Sequence, residues 1–314
     1  MSGVEVLVVG DANPDLLLTG DTIPRFGQAE QLLEGADLLL GGSAAIVACG
    51  LARLGVPSAL ASVVGSDQFG TFVLNYLRER GVDTSAVTIS EALPTGVSVV
   101  LSKPHDRAIL TFPGTIPALD AAGVRNAVER LEPRHVHVAS YFLQPILATQ
   151  LPELFGWLQE RGVTISLDTN WDPTERWDGL EDILPLTSVF LPNRAEALSI
   201  ASAITGDRVT DLDQAGKALS ALGCRVVVKA GTDGGISFEH GSLTAQAPGL
   251  VLEVVDTTGA GDSFNAGYLA ALSRGIEAEQ QRLSLAATAG SLSVRALGGT
   301  AAQATENELT EALP

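Results

Sequence analysis

Positive charge is scarce in this chain: 19 Lys and Arg stand against 37 Asp and Glu, for a formal charge of −18. Phosphate-dominated binding needs basic residues, so neither nucleic acid nor an anionic membrane surface is expected as a partner, although backbone amides can still hold a small anion. Cysteine is nearly absent. Cys49 and Cys224 are far apart in apolar stretches, which excludes a disulfide framework and a cysteine-based metal site and fits a reducing, cytoplasmic setting. Long hydrophobic runs are missing too. The least polar stretch, 38–52, contains Gly41-Gly42-Ser43 and falls short of the ~18 residues of a membrane-spanning helix. The opening Met1 to Gly10 has no basic region and reads as a short buried strand rather than a signal peptide. His105, His135, His137 and His240 show no metal-ligand spacing and are read as packing residues, as are both cysteines.

What is present is apolar content, 46% of 314 residues. A chain of that length buries roughly three quarters of its unfolded surface, enough for a single α/β domain over 1–314. Short β-branched runs at 4–9, 59–64, 135–139, 164–168, 188–191 and 225–229 alternate with helix-like stretches at 44–54, 68–80, 145–160, 194–204, 211–222, 260–273 and 279–294. That alternation is what a parallel sheet covered on both faces requires, so the expected fold is a three-layer αβα sandwich with a mostly parallel central sheet. Two segments break the pattern, at approximately 11–40 and 94–113, where Gly and Pro surround short alternating strands. Together they are expected to form a small β-sheet lid over the carboxyl ends of the parallel strands, where open α/β sheets bind ligands. Its exposed edge invites pairing with a second copy, so a homodimer through the lid is an expectation.

The strongest local signal is Asp256-Thr257-Thr258-Gly259-Ala260-Gly261-Asp262-Ser263-Phe264, after a strand-like run at 250–255 and opening a helix. A turn of small residues at a helix N-terminus presents backbone N–H groups and the positive end of the helix dipole, a natural seat for phosphate. No Lys follows the glycines, so this is not a P-loop, and the spacing is not that of a dinucleotide fingerprint. Asp262, read alone, is a first-turn acid of the capping type. Inside an anion-binding turn it is also placed to take a proton from an attacking hydroxyl.

This segment resembles, almost residue for residue, the signature of the ribokinase-like sugar kinases, the phosphofructokinase B group. Further segments in the family's order extend the resemblance over nearly the whole chain: Asn13 and Asp15, Gly41-Gly42-Ser43 opening a helix, Pro192-Asn193-Arg194-Ala195-Glu196, and Lys229-Ala230-Gly231-Thr232-Asp233-Gly234. The resemblance implies an ATP-dependent kinase acting on a hydroxyl of a sugar or sugar acid. It implies Asp262 as general base and the N–H groups of Gly259, Ala260 and Gly261 as an anion hole. Asn13, Asp15, Gly41, Gly42 and Ser43 would face the sugar. Asn193, Lys229, Gly231, Asp233, Gly234 and Thr258 would lie beside the nucleotide, and Glu196 would hold Mg²⁺ directly or through water. The turn 296–302, with Asp256 and Thr258, resembles a monovalent-cation loop of some relatives, which makes K⁺ a further expected ion.

Several of these residues also have a plain structural reading. Asn193 and Glu196 alone are a helix N-cap with a capping-box acid, and Asn13-Pro14 favours a turn. Asp168 ends a strand at the ligand edge and is a candidate substrate contact. Arg107, beside a lid strand, is placed to bind a substrate carboxylate or phosphate. Ile46 departs from the family, which usually has Asn there; an aliphatic side chain neither donates nor accepts, so sugar identity does not carry over. The alternatives are a nucleoside kinase with the same chemistry, or a catalytically silent sugar-binding or regulatory protein on the same fold.

Overall fold

Apolar strands buried on both faces satisfy their backbone groups only inside a covered sheet. The computed structural model describes residues 3–103 and 106–313. Along it run β1 (Val6–Val9), β2 (Asn13–Thr19), β3 (Gly35–Gly41), α1 (Ser43–Arg53), β4 (Ser58–Gly65), α2 (Gln68–Glu79), β5 (Val87–Ser90), β6 (Val97–Lys103) and β7 (Asp106–Phe112). There follow α3 (Ala121–Leu131), β8 (His135–Val138), α4 (Pro145–Glu160), β9 (Thr164–Leu167), β10 (Val189–Phe190), α5 (Arg194–Thr205), α6 (Leu212–Ser220) and β11 (Arg225–Lys229). The chain ends with β12 (Gly235–Glu239), β13 (Ser242–Ala247), α7 (Ala260–Ser273), α8 (Glu279–Ser293) and α9 (Glu306–Ala312).

Among the described residues the large sheet has the order β13-β12-β11-β10-β9-β8-β1-β4-β5. Neighbours are parallel from β5 to β11, and only β12 runs in the opposite sense. Alternate residues of β1 feed opposite layers. Leu7 and Val9 pack with α3 to α6, whereas Val6 and Val8 pack with α1, α2, α7, α8 and α9. This is the three-layer sandwich read from the sequence. His135 and His137 share Ser166 Oγ at 2.7 Å each and are buried; burial pushes their pKa values down to about 3 and about 4, so they are neutral packing residues. His105 lies outside the described residues. Both cysteines are buried, and no described helix is long and apolar enough to cross a membrane.

The two insertions meet in a separate four-stranded sheet, β3-β2-β6-β7, in which Asp15 of β2 pairs with Ser98 of β6. On β7, an outer strand, Ile109, Leu110 and Phe112 are exposed. The strand expected at 250–255 is absent. That segment crosses the end of α8, where Leu250 N–H donates to Ser291 Oγ (2.9 Å) and Val255 N–H to the Val294 carbonyl (2.8 Å). With no neighbouring strand to pair with, its apolar residues stay exposed and line a cleft.

Candidate active site

The turn before α7 is built around one carboxylate. Asp256 Oδ1 accepts from the Thr258 N–H (2.9 Å) and hydroxyl (2.8 Å), and Oδ2 accepts from the Gly298 N–H (2.8 Å). Two turns distant in sequence are thereby pinned together. Gly259 must be glycine: its φ is +70°, and a Cβ would lie 2.6 Å from Gly299 Cα. Ile46, 4% exposed, fills the space beside both glycines. It therefore packs the turn from below, where an amide would have to find polar partners.

The first N–H groups of a helix have no intrahelical acceptor, and α7 has no side-chain cap. Of the three amides assigned to an anion hole, that of Ala260 turns back to the Thr257 carbonyl at 3.2 Å. Asp262, in the same turn, accepts a hydrogen bond from the Ser43 hydroxyl of α1. Protein encloses it on most sides, yet it keeps some exposure. Burial first, then the negative charge of Asp168, pushes its pKa up to about 7, with Asp11 adding to the rise and Ser43 and Lys229 opposing it.

Lys229, at the end of β11, is the largely buried cation beside this turn. Its Nζ lies 2.5 Å from Asp168 Oδ2, and Asn265 Nδ2 donates to the same oxygen at 2.5 Å. Burial opposes the charge on Lys229, but Asp168 and then Glu196 outweigh it and hold the amine protonated. Asp168 has no exposure. The structure thus places it beneath the site, holding Lys229 and α7, rather than at the acceptor surface. A Cβ on Gly261 would stand 3.6 Å from Lys229 Nζ, so the amine sits directly against the first turn of α7.

Asn193 and Glu196 form a complete capping box on α5. Glu196 N–H donates to Asn193 Oδ1 (2.9 Å), while Glu196 accepts from Asn193 N–H (2.8 Å) and Nδ2 (2.5 Å). Glu196 is 4% exposed, and burial raises its pKa. A cleft of about 340 Å³ opens at Lys229, walled by that residue, Gly231, Gly234, Thr257 and Gly261 with Leu250, Val251, Leu252 and Phe264. Asn193, Glu196, Asp233 and Thr258 do not line this cleft; Asp233 pairs with Arg194 at 2.7 Å on the surface, and Thr258 lines a small hollow with Asp15 instead.

On the lid side, Asn13 Nδ2 donates to Asp15 Oδ1 (2.9 Å), and a Cβ on Gly41 would collide with the Asp15 carboxylate. Burial, then Asp11, raises Asp15 to about 7. Arg107 reaches down from β7 and donates to Thr258 Oγ1 at 2.7 Å, so the small sheet touches the turn before α7 directly. Sequence reasoning missed Asp11, Ser140, Asn170 and Asn265. Asn265 stands one residue past the motif's Phe264; Asp11 comes two residues after the first strand, and that position was its one available signal.

Residues 5–306 match the pfkB family of carbohydrate kinases, and the chain belongs to that family. It is 27% identical to ribokinase of Bacillus subtilis (strain 168) over 98% of this chain and 99% of that protein. It is 30% identical to 2-dehydro-3-deoxygluconokinase of the same organism, over 76% of this chain and 75% of the relative. The solved structure of Arabidopsis thaliana ribokinase complexed with ribose and ATP superposes with a TM-score of 0.83 at 25% identity, covering 99% of each chain. The fold is that of these enzymes, and the protein is a carbohydrate kinase.

Proposed function

We propose that the protein transfers the γ-phosphoryl group of ATP to a hydroxyl of a sugar or sugar acid, with Asp262 as general base. The observation that carries this reading is the place of Asp262: a largely enclosed carboxyl with a raised pKa, between the cleft residues Lys229 and Gly261 and the acceptor-edge residue Ser43. The acceptor oxygen attacks the γ-phosphorus and gives its proton to Asp262. The bond to the bridging oxygen breaks, and ADP leaves with the electron pair. Ser43 orients the carboxylate, and the free amides of the turn with Lys229 meet the charge on the transferred group.

Among the described residues no group of three His, Cys, Asp or Glu is placed to hold a metal. Glu196, with two acceptor sites used by its capping box, retains lone pairs for the hydration shell of a cation. That suits Mg²⁺, which keeps waters and borrows few protein ligands; when bound with ATP it neutralises phosphate charge. K⁺ enters the proposal only as a stimulating ion at the Asp256 junction between the two turns. Turnover in K⁺ above that in tetramethylammonium salts is the expected result, and equal rates remove the ion.

An ADP-release assay with Mg-ATP across free sugars, sugar acids, sugar phosphates and nucleosides tests the reading. Turnover confined to nucleosides makes the protein a nucleoside kinase, and acceptor binding without ADP release makes it a silent binder. The exposed β7 edge supports the homodimer as part of the same proposal. Arg107 is assigned to anionic acceptors. Arg107→Ala should raise KM for a carboxylate-bearing acceptor roughly tenfold, the effect of losing one charge-assisted hydrogen bond of about 1.5 kcal/mol, and leave neutral sugars alone. Equal KM values for anionic acceptors in both proteins would end that role.

A further inference from the structure

The cap of α1 is Gly42, which has no side chain to offer the exposed N–H groups of the first turn. Its φ of +86° and the 2.6 Å from a would-be Cβ to the Asp11 carbonyl forbid a capping Ser or Asp there. The missing acceptors come from another element. Asp11, two residues after β1, accepts the Ala44 N–H on Oδ1 at 3.1 Å, and its backbone carbonyl accepts the Ala45 N–H at 3.2 Å. The same Oδ1 accepts from the Ser140 hydroxyl at 2.8 Å, and Ser140 Oγ accepts from Asn170 Nδ2 at 2.9 Å. Ser140 and Asn170 both hold left-handed backbone, at φ 57° and 54°, a conformation that asparagine tolerates and that is uncommon for serine. One carboxylate, 5% exposed, thus ties the carboxyl ends of β1, β8 and β9 to the N-terminus of α1.

The first residue of that helix is Ser43, whose hydroxyl donates to Asp262. We infer that Asp11 is a positioning residue for phosphoryl transfer: by capping α1 from outside the helix, it holds Ser43 where its hydroxyl aligns the Asp262 carboxylate. The inference rests on the reading of Asp262 as base. Asp11 is too enclosed to touch a substrate and acts through α1. A cap that served stability alone would leave the turnover of folded protein unchanged.

The test is a double-mutant cycle with Mg-ATP and, as acceptor, D-ribose or 2-dehydro-3-deoxygluconate, whichever the parent turns over faster. The variants are Asp11→Ala, Asp11→Asn, Ser43→Ala, the Asp11→Ala/Ser43→Ala pair, and Asp262→Asn as control. Asp11→Ala should lower kcat about 10- to 100-fold, as a misplacement of about 1 Å at a catalytic group does, with KM for ATP within about threefold. Asp11→Asn, which keeps an acceptor for the Ala44 N–H, should recover most of that loss. In the Ser43→Ala background Asp11→Ala should add less than about twofold, because the two act along one path. If Asp11→Ala unfolds, Asp11→Asn and Asp11→Ser run through the same cycle. Parent-like kcat in Asp11→Ala, or losses that multiply with Ser43→Ala, overturns the inference while Asp262→Asn stays inactive. Parent-like turnover in Asp262→Asn overturns the base assignment and this inference with it.

Discussion

Asp262→Asn should lose turnover by about a thousandfold or more while still binding ATP, because an amide cannot take the acceptor proton and general-base catalysis contributes roughly 10²- to 10⁴-fold. The side chain keeps its shape and its acceptor for Ser43, so the loss falls on kcat rather than on KM for the nucleotide. The parent should show an acid limb in kcat. Burial, followed by repulsion from Asp168, raises the carboxyl from its ordinary 3.8 to about 7; a base works when ionised, so activity rises with pH through about 7 and falls below it. Folding stability carries the opposite sign. A carboxyl whose folded pKa is raised opposes folding once it ionises: nothing below 3.8, a growing penalty up to about 7, the full penalty above. Asp262→Asn should therefore raise Tm more at pH 8 than at pH 5. A pH profile of kcat flat from 5 to 8, or a variant as active as the parent, would refute the assignment.

Lys229→Met should damage both stability and turnover. Asp168 has no solvent exposure, and the Lys229 side chain is 11% exposed at 2.5 Å from it. Removing the cation strands a buried carboxylate, which typically costs about 3–5 kcal/mol; urea denaturation reads the loss directly. Turnover should fall roughly a hundredfold or more as well, since the amine beside Gly261 no longer meets phosphate charge. Asp168→Asn combined with Lys229→Met should regain part of the stability, because no unpaired charge remains, but not the turnover. A Lys229→Met protein within about 1 kcal/mol of the parent would show that the pair does not support the fold.

Much of the fold was legible because burial writes itself into the sequence. Runs such as Val6–Val9 and Arg225–Lys229 are apolar on both faces only in a covered parallel sheet. The hairpin of β12 and β13 escaped, because Ser237, Ser242 and Thr244 dilute its apolar pattern. Residues 250–255 misled for the converse reason: they read as a strand, but strand identity depends on a partner, and none stands beside them. The carboxylate of Asp262 was visible because its turn is local. Asp11 was invisible because a cap supplied by another strand leaves no mark at the helix it serves.

The sequence by itself determined the layered α/β architecture, the two segments that form the small second sheet and the glycine-rich turn at the start of α7, since each follows from periodicity or from neighbours within a few residues. Only the tertiary structure decided that Asp168 lies beneath the site holding Lys229, that Ile46 packs behind two glycine turns, and that Arg107 of the lid meets Thr258. Those relations join residues separated by long stretches of chain. Such pairs leave no periodic trace along one sequence, because their geometry exists only once the sheet has set the spacing of its carboxyl ends.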